Sequence, residues 1–266
     1  MEPLIKWAGG KRWLINKYPH LIPDKQNFTK YVEPFIGGGS LFFHVEPERA
    51  IINDVNNELI TTYSQIKDNY FQIQERLQYL NSIHSTETYY QIRKEKPIKE
   101  IDIAVRFLYL NRTCWNGLYR VNLKNEFNVP IGTKTKVILD TDDFQKASQV
   151  LNNTRIFSGD FEKIISKCRE NDFLFLDPPY TVKHNNNGFI KYNEKLFDWQ
   201  DQIRLKKAVK RAIQRGVKVL VLNANHESIK QLYNGVGEFH ELERASVIAG
   251  KKENRGIYSE LAIKCF

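Results

Sequence analysis

The run Phe173-Leu174-Phe175-Leu176 passes directly into Asp177-Pro178-Pro179-Tyr180. A short unbroken apolar run bounded by turn residues reads as a buried strand, and a chain containing one must cover it with other elements. Further strand candidates are Tyr31–Glu33, Ala50–Asn53, Arg155–Ser158 and Lys218–Leu222, with helical patterns between several of them. Strands alternating with helices predict a parallel α/β sheet. Near the carboxyl end Phe239–Ile248 and Tyr258–Phe266 flank the polar stretch Ala249–Gly256, which predicts an antiparallel hairpin at one sheet edge.

Residues 56–153 break this rhythm. They are helical in pattern until Thr113 and then turn-rich and basic, which reads as a domain inserted between residues 1–55 and 154–266. Its helix Ile101–Asn111 is apolar at Ile103, Val105, Phe107, Leu108 and Leu110, a pattern of core packing. After it, Leu118–Val121 and Phe127–Val129 flank Asn122-Leu123-Lys124-Asn125-Glu126 as a hairpin would. From Asn111 to Lys136 the cations Arg112, Arg120, Lys124, Lys134 and Lys136 face only Glu126 in opposition, an imbalance suited to a polyanion.

A strand that ends in Asp-Pro-Pro-Tyr can do specific chemistry. An exocyclic amine on an aromatic ring is a poor nucleophile because its lone pair is delocalised. The Asp177 carboxylate and the Pro178 carbonyl can accept its two N–H bonds and favour a pyramidal nitrogen. The prolines stiffen the loop without adding donors, and Tyr180 offers a stacking face worth roughly 1–3 kcal/mol per base. Taken alone, the tetrapeptide also fits an ordinary turn after a strand.

A second constellation lies upstream. Tyr31-Val32-Glu33-Pro34-Phe35-Ile36-Gly37-Gly38-Gly39-Ser40 runs a short strand into a glycine cluster before a helix-like segment near Leu41. Glycines there let backbone approach a ligand closely. About twenty residues on, Ile51-Ile52-Asn53-Asp54 ends a second strand in an acid, as α/β nucleotide sites do to hold ribose hydroxyls. There is no Gly-x-Gly-x-x-Gly fingerprint and no Gly-Lys-Ser/Thr phosphate loop. An adenosine-containing sulfonium cofactor, S-adenosylmethionine, needs no phosphate cradle. The alternatives are a flexible turn for the glycines and a helix cap for Asp54.

These residues resemble the Dam-type, alpha-class DNA adenine-N6 methyltransferases. Lys6-Trp7-Ala8-Gly9-Gly10-Lys11 matches that family's amino-terminal motif, Glu33-Pro34-Phe35 with the glycines its cofactor loop, and Asp177-Pro178-Pro179-Tyr180 its catalytic tetrapeptide. Asn111–Arg120 and Glu126–Pro130 resemble its target-recognition segment. The resemblance implies a Rossmann-like S-adenosylmethionine-dependent methyltransferase sheet with a terminal β-hairpin and an inserted, mostly helical DNA-recognition domain.

It implies catalytic roles for Asp177, Pro178, Pro179 and Tyr180. Cofactor contacts are expected from Trp7, Ala8, Gly9, Lys11, Glu33, Pro34, Phe35, Gly37, Gly39, Ser40, Asp54 and Asp177, and from Asp160 and Phe161 at the adenine ring, with a helix cap as the alternative for Asp160. DNA contacts are expected from Lys6, Arg112, Trp115, Asn116, Leu118, Arg120, Asn128, Pro130 and Lys134. Arg120 is assigned to guanine O6 and N7 and Trp115 to the gap left by an extruded adenine. A phosphate clamp and a core aromatic are their respective alternatives. The target implied is GATC in double-stranded DNA. Asn185-Asn186-Asn187-Gly188 reads as a lid loop before Phe189-Ile190-Lys191-Tyr192, and Lys251-Lys252-Glu253-Asn254-Arg255 as a loop near phosphate.

Three rival readings use the same residues. Similar tetrapeptides methylate cytosine N4 or a protein glutamine, although usually with Asn or Ser in first place. An RNA substrate and a catalytically dead DNA-binding module are the others.

The rest of the chain is consistent with a nucleic-acid enzyme. Its 266 residues allow one large domain with an insertion, and a formal charge of +9 favours a polyanionic partner. The basic stretch Arg204–Val219 carries an apolar helical stripe at Leu205, Val209, Ala212 and Ile213, so its charges read as a solvated helix face. Cys114, Cys168 and Cys265 are scattered, with neither disulfide nor metal-ligand spacing, and no metal is expected. No apolar run has the length of a signal peptide or a membrane span. A cytoplasmic monomer without membrane contact is expected, with a cognate restriction endonuclease acting on the same site as a possible partner.

Overall fold

A computed structural model describes residues 1–122, 124, 126–182, 197–245 and 257–266. Its strands are β1 (Tyr31–Glu33), β2 (Ala50–Asp54), β3 (Thr154–Ser158), β4 (Phe173–Leu176), β5 (Lys218–Ala224), β6 (Glu238–Ala245) and β7 (Ile257–Cys265). The α-helices among the described residues are α1 (Arg12–Lys17), α2 (Ser40–Val45), α3 (Asn57–Ser82), α4 (Thr86–Lys94), α5 (Glu100–Thr113), α6 (Phe144–Asn152), α7 (Phe161–Ile165), α8 (Trp199–Gln214) and α9 (Glu227–Tyr233). The chain divides into two compact units, Met1–Ile15 with Ile36–Gly159, and Asn16–Phe35 with Asp160–Phe266.

In the first unit β2 and β3 pair in parallel, from Ala50 opposite Thr154 to Asp54 opposite Ser158. The long helix α3 starts where the Asn56 side chain accepts the Leu59 N–H, and it bends at Asn69, whose backbone leaves the helical region. It packs against α5 and α6. Every residue of α5 from Ala104 to Thr113 is buried, Arg106, Asn111 and Arg112 included. A helix buried all round is a core element whose polar side chains must find partners inside. The expected helix is thus present and extends to Thr113.

The second unit carries a sheet in the order β1-β4-β5-β7-β6. β1, β4 and β5 are parallel; β7 runs antiparallel to β5 and to β6. All four side chains of β4 are buried, as its unbroken apolar run requires. β5 continues past the expected Leu222 to Ala224 because Asn223, fully buried, pairs in register with Leu261 and satisfies its amide on Gln202. α8 opens with a capping box between Asp198 and Asp201. It buries Leu205, Ala208, Val209 and Ala212, while Arg204 pairs with Asp160 and Asp201.

Among the described residues seven strands, mostly parallel and interleaved with helices, make this the Rossmann-like α/β fold expected, with its terminal antiparallel pair. The hairpin expected in the recognition segment reduces to a bridge between Val121 and Phe127, flanked by hydrogen bonds from Asn122 N–H to the Glu126 carbonyl and from Asn128 N–H to the Arg120 carbonyl. The lid loop Asn185–Gly188, the Phe189–Tyr192 segment, the loop Lys251–Arg255 and the expected end of β6 at Ile248 lie outside the described residues. Among the described residues no helix is long and apolar enough to cross a membrane.

Candidate active-site and recognition residues

In the first unit, β2 delivers Asp54 to the glycine turn. Its Oδ2 accepts the Gly37 N–H at 3.1 Å and its Oδ1 accepts the Asn56 N–H at 3.0 Å. Asn56, not Asp54, caps α3. Burial pushes the Asp54 carboxyl above its ordinary pKa, against the pull of the N–H groups of Asn56, Gly37 and Val55. The Tyr63 hydroxyl holds the Gly37 carbonyl at 2.8 Å.

Gly37 has φ +47°, and a Cβ there would lie 2.6 Å from Cδ1 of Trp7, so only glycine fits. Trp7 in turn stacks on Tyr119 at 5.7 Å and Phe107 at 6.4 Å. The amino-terminal motif therefore walls the glycine turn. Lys11 is buried and its Nζ donates to the Gly9 carbonyl at 2.7 Å; Ala8 is exposed; Ser40 opens α2 behind Gly39, which has φ +67°.

The recognition segment is tied to the same motif. The Asn111 side chain grips Lys6 from both ends, Oδ1 accepting the Lys6 N–H at 2.9 Å and Nδ2 donating to the Lys6 carbonyl at 2.8 Å. Gly117, at φ +64°, lies where a Cβ would come within 2.9 Å of Cδ of Lys6. Burial, with Lys134 and Arg112 nearby, lowers the pKa of Lys6.

Trp115 is 51% exposed, which excludes the core alternative, and its backbone N–H donates to the Pro130 carbonyl at 2.9 Å. Asn116, exposed in the left-handed region at φ +55°, follows it. Leu118 is half-buried, while Pro130 and Lys134 are exposed. Arg120 is exposed and its Nε donates to Oδ1 of Asn128 at 2.8 Å, which orients the guanidinium.

Arg112 requires a correction. It is 1% exposed, its two terminal nitrogens meet the Asp142 carboxylate at 2.6 and 2.8 Å, and they also donate to the carbonyls of Val137 and Leu4. A guanidinium enclosed in this way braces the recognition segment and does not reach DNA.

In the second unit Asp177 leaves the carboxyl end of β4, the neighbour of β1. On β1 the buried Tyr31 hydroxyl donates to Oε2 of the buried Glu33 at 2.7 Å. Burial, then Glu33 and Asp177, hold the Tyr31 phenol well above its ordinary pKa. Two carboxyl groups, those of Glu33 and Asp177, thus act on Tyr31 at this end of the two strands.

Pro178 is buried; Asp177, Pro179 and Tyr180 are half-buried. Behind them Thr181 Oγ1 donates to the Phe197 carbonyl at 2.6 Å, Gln202 Nε2 to the Thr181 carbonyl at 3.4 Å, and Asn223 Nδ2 to Gln202 Oε1 at 3.1 Å. This buried chain pins the tetrapeptide to α8 and β5. Sequence reasoning missed all of its members because each pairs across a long stretch of chain. The Tyr180 hydroxyl donates to Glu260, another residue not foreseen.

Asp160 caps α7 by accepting the Glu162 N–H at 2.9 Å, the alternative role considered for it, and its other oxygen meets Arg204 at 2.8 Å. Burial works against ionisation there, but Arg204 and the Glu162 N–H prevail and lower its pKa. Phe161 is buried against Phe35 at 5.4 Å and Phe197 at 5.6 Å, with the Arg204 guanidinium 4.9 Å above its ring. Phe35 is half-buried beside the buried Pro34.

Comparison with known proteins agrees with this geometry. A family model described as D12 class N6 adenine-specific DNA methyltransferase matches residues 7–248. The chain is 38% identical over 272 residues to the type II methyltransferase M1.LlaDCHI of Lactococcus lactis subsp. cremoris, covering 99% of this chain and 95% of that protein. It is 32% identical over 283 residues to the type II methyltransferase M.MjaIII of Methanocaldococcus jannaschii, covering 98% of each. To the DNA adenine methylase of Escherichia coli it is 32% identical over 233 residues, covering 85% of this chain and 81% of that protein. Matched over most of its length by the family model and by these relatives, the chain belongs to the D12 class of DNA methyltransferases, enzymes that methylate adenine at N6.

Proposed function

We propose that the enzyme transfers a methyl group from S-adenosylmethionine to the N6 of an adenine flipped out of duplex DNA, within the sequence GATC. The observation that carries the chemistry is Asp177-Pro178 at the carboxyl end of β4, its backbone pinned by Thr181, Gln202 and Asn223. Residues 1–55 with 154–266 form the catalytic part and residues 56–153 the recognition part.

The residues present fit a sulfonium nucleoside. The Asp54 oxygens accept backbone N–H groups, among them those of Gly37 and Asn56, and a carboxylate keeps lone-pair capacity for a ribose hydroxyl. Trp7 walls Gly37 and Gly38 of the glycine turn, and Lys11 and Ser40 of the first unit and Glu33, Pro34 and Phe35 of the second are assigned to the cofactor by their motifs. Asp160, the cap of α7, and Phe161 after it are assigned to the adenine ring. When bound, S-adenosylmethionine supplies an electrophilic methyl whose leaving group is a neutral thioether.

The protein's own part is orientation and charge stabilisation. The Asp177 carboxylate and the Pro178 carbonyl accept the two N6 hydrogens, so the nitrogen lone pair turns out of the ring toward the methyl carbon. Tyr180 stacks on the base, which must leave the duplex because its N6 cannot be reached inside the stack. After transfer the methylated, cationic N6 gives up one proton to the Asp177 carboxylate, which passes it to water. In the DNA, Arg120, oriented by Asn128, reads a guanine edge, and Asn116, Leu118, Pro130 and Lys6 contact neighbouring bases. The exposed Trp115 fills the emptied stack, and Lys134 meets phosphate.

Relatives named type II methyltransferases support a cognate restriction endonuclease recognising the same site. We further propose a cytoplasmic monomer that methylates one strand at a time. The deciding experiment is transfer of labelled methyl from S-adenosylmethionine to unmethylated duplexes carrying GATC or scrambled sites, with Asp177→Ala beside wild type. The expected result is N6-methyladenine at GATC only, with kcat lowered at least about 100-fold by the substitution. Methylation at another site would keep the chemistry and overturn the reading of Arg120 and Asn116.

A further inference from the structure

The stacking residue of the tetrapeptide is held from behind. The Tyr180 hydroxyl donates to Oε2 of Glu260 at 2.5 Å. Glu260 lies on β7, opposite Ala224 of β5 and Leu242 of β6, and is 3% exposed. The residues after it, Leu261, Ala262 and Ile263, are fully buried and apolar. A carboxylate enclosed in such surroundings is costly unless donors compensate it. Stacking alone asks only for a π face, which phenylalanine would provide without a hydroxyl.

The backbone on the far side of the ring is already fixed, since Thr181 is anchored through both its hydroxyl and its carbonyl. What remains free in an aromatic residue on a fixed backbone is the swing and roll of the ring. A hydrogen bond from the phenol to a buried acceptor holds the swing, and because the O–H prefers to lie in the plane of the ring, its direction also biases the roll.

We propose that Glu260 is a positioning residue for methyl transfer: through the Tyr180 hydroxyl it sets the ring plane against which the target adenine stacks. This rests on the reading of Tyr180 as the base-stacking residue. Glu260 touches neither base nor cofactor in this role; it narrows the orientations of the adenine to those in which N6 faces Asp177 and Pro178. Its loss therefore appears in kcat, and the cofactor KM stays put.

The test compares Glu260→Leu, Glu260→Gln, Tyr180→Phe and the Tyr180→Phe/Glu260→Leu double variant with wild type. It reads kcat, the KM for S-adenosylmethionine, and the fluorescence of 2-aminopurine placed at the target adenine. Glu260→Leu and Tyr180→Phe should each lower kcat about tenfold, a rise of about 1.4 kcal/mol in the activation barrier. The double variant should be no slower than either, and Glu260→Gln, which keeps an acceptor oxygen, should recover most of the rate. The 2-aminopurine signal should rise in Glu260→Leu as stacking on the ring loosens.

Losses that multiply in the double variant, or a raised cofactor KM, would overturn the proposal. Should Glu260→Leu fail to fold, Tyr180→Phe removes the same bond from the other end, and a wild-type kcat there overturns it equally. Tyr180→Ala separates the two readings. If it too turns over at the wild-type rate, the stacking role itself is wrong; if it is slow while Tyr180→Phe is not, only the role of Glu260 falls.

Discussion

Arg112 and Arg120 carry the same charge into one segment and end in opposite environments. Arg112 is enclosed, with both terminal nitrogens on Asp142 and further bonds to the Val137 and Leu4 carbonyls. Removing one member of a buried pair leaves the other uncompensated, so Arg112→Met should destabilise the fold by about 3–5 kcal/mol in urea unfolding. Arg120 is exposed and its Nε donates to Asn128. Arg120→Ala should leave the unfolding curve unchanged and reduce discrimination between GATC and sites with a changed guanine by about 1–3 kcal/mol, measured as the ratio of kcat/KM values. An equal effect of both substitutions on stability would refute this division. Nothing in the local sequence distinguishes the two arginines; the difference is made by Asp142, which lies beyond the basic segment in the chain.

The elements were legible where local pattern alone determines them. β1 and β4 begin and end where their apolar runs do, and the pattern of α5 marks it as core. The partners that hold the site were not, because Asn111 with Lys6, Gln202 with Asn223 and Tyr180 with Glu260 meet only after the chain has folded back on itself. Asp54 lies between these cases. Its place at the end of β2 was readable, whereas its bond to the glycine turn and its raised pKa come from burial. That shift has a consequence for cofactor binding. In the proposed cofactor site Asp54 accepts from the ribose hydroxyls, most strongly when ionised, and a carboxyl whose folded pKa is raised takes up its proton at a higher pH than an ordinary aspartate as pH falls. Affinity for S-adenosylmethionine should therefore be full well above the raised pKa and decline as pH falls through it, before the usual aspartate range of about 3.9 is reached. Calorimetric titration across that range should find the decline in wild type and a flatter, weaker profile in Asp54→Asn. A wild-type affinity constant down to the ordinary aspartate range would remove Asp54 from the cofactor site.

For the whole molecule, the formal charge of +9 describes attraction to DNA less well than the disposition of its cations does. Arg204 and Arg211 of α8 are paired with acids, Arg112 is enclosed, and Lys136 meets Asp140 at 2.9 Å. In the recognition segment Arg120, Lys124 and Lys134 remain exposed. Each phosphate neutralised by a protein cation releases counterion and adds about −0.9 to the slope of log K against log salt concentration. If Lys124 and Lys134 carry the recognition segment's phosphate contacts while Arg120 reads a base edge, the segment should contribute a slope of about −2, well below the value that counting every lysine and arginine would suggest. Lys134→Ala should flatten the measured slope by about 1 and weaken GATC and scrambled duplexes alike, because a phosphate contact has no sequence content. Arg120→Ala should act in the other sense, narrowing the gap between the two duplexes. Binding isotherms at several salt concentrations check both; a Lys134→Ala effect confined to GATC would make that lysine a reader of bases and not of backbone.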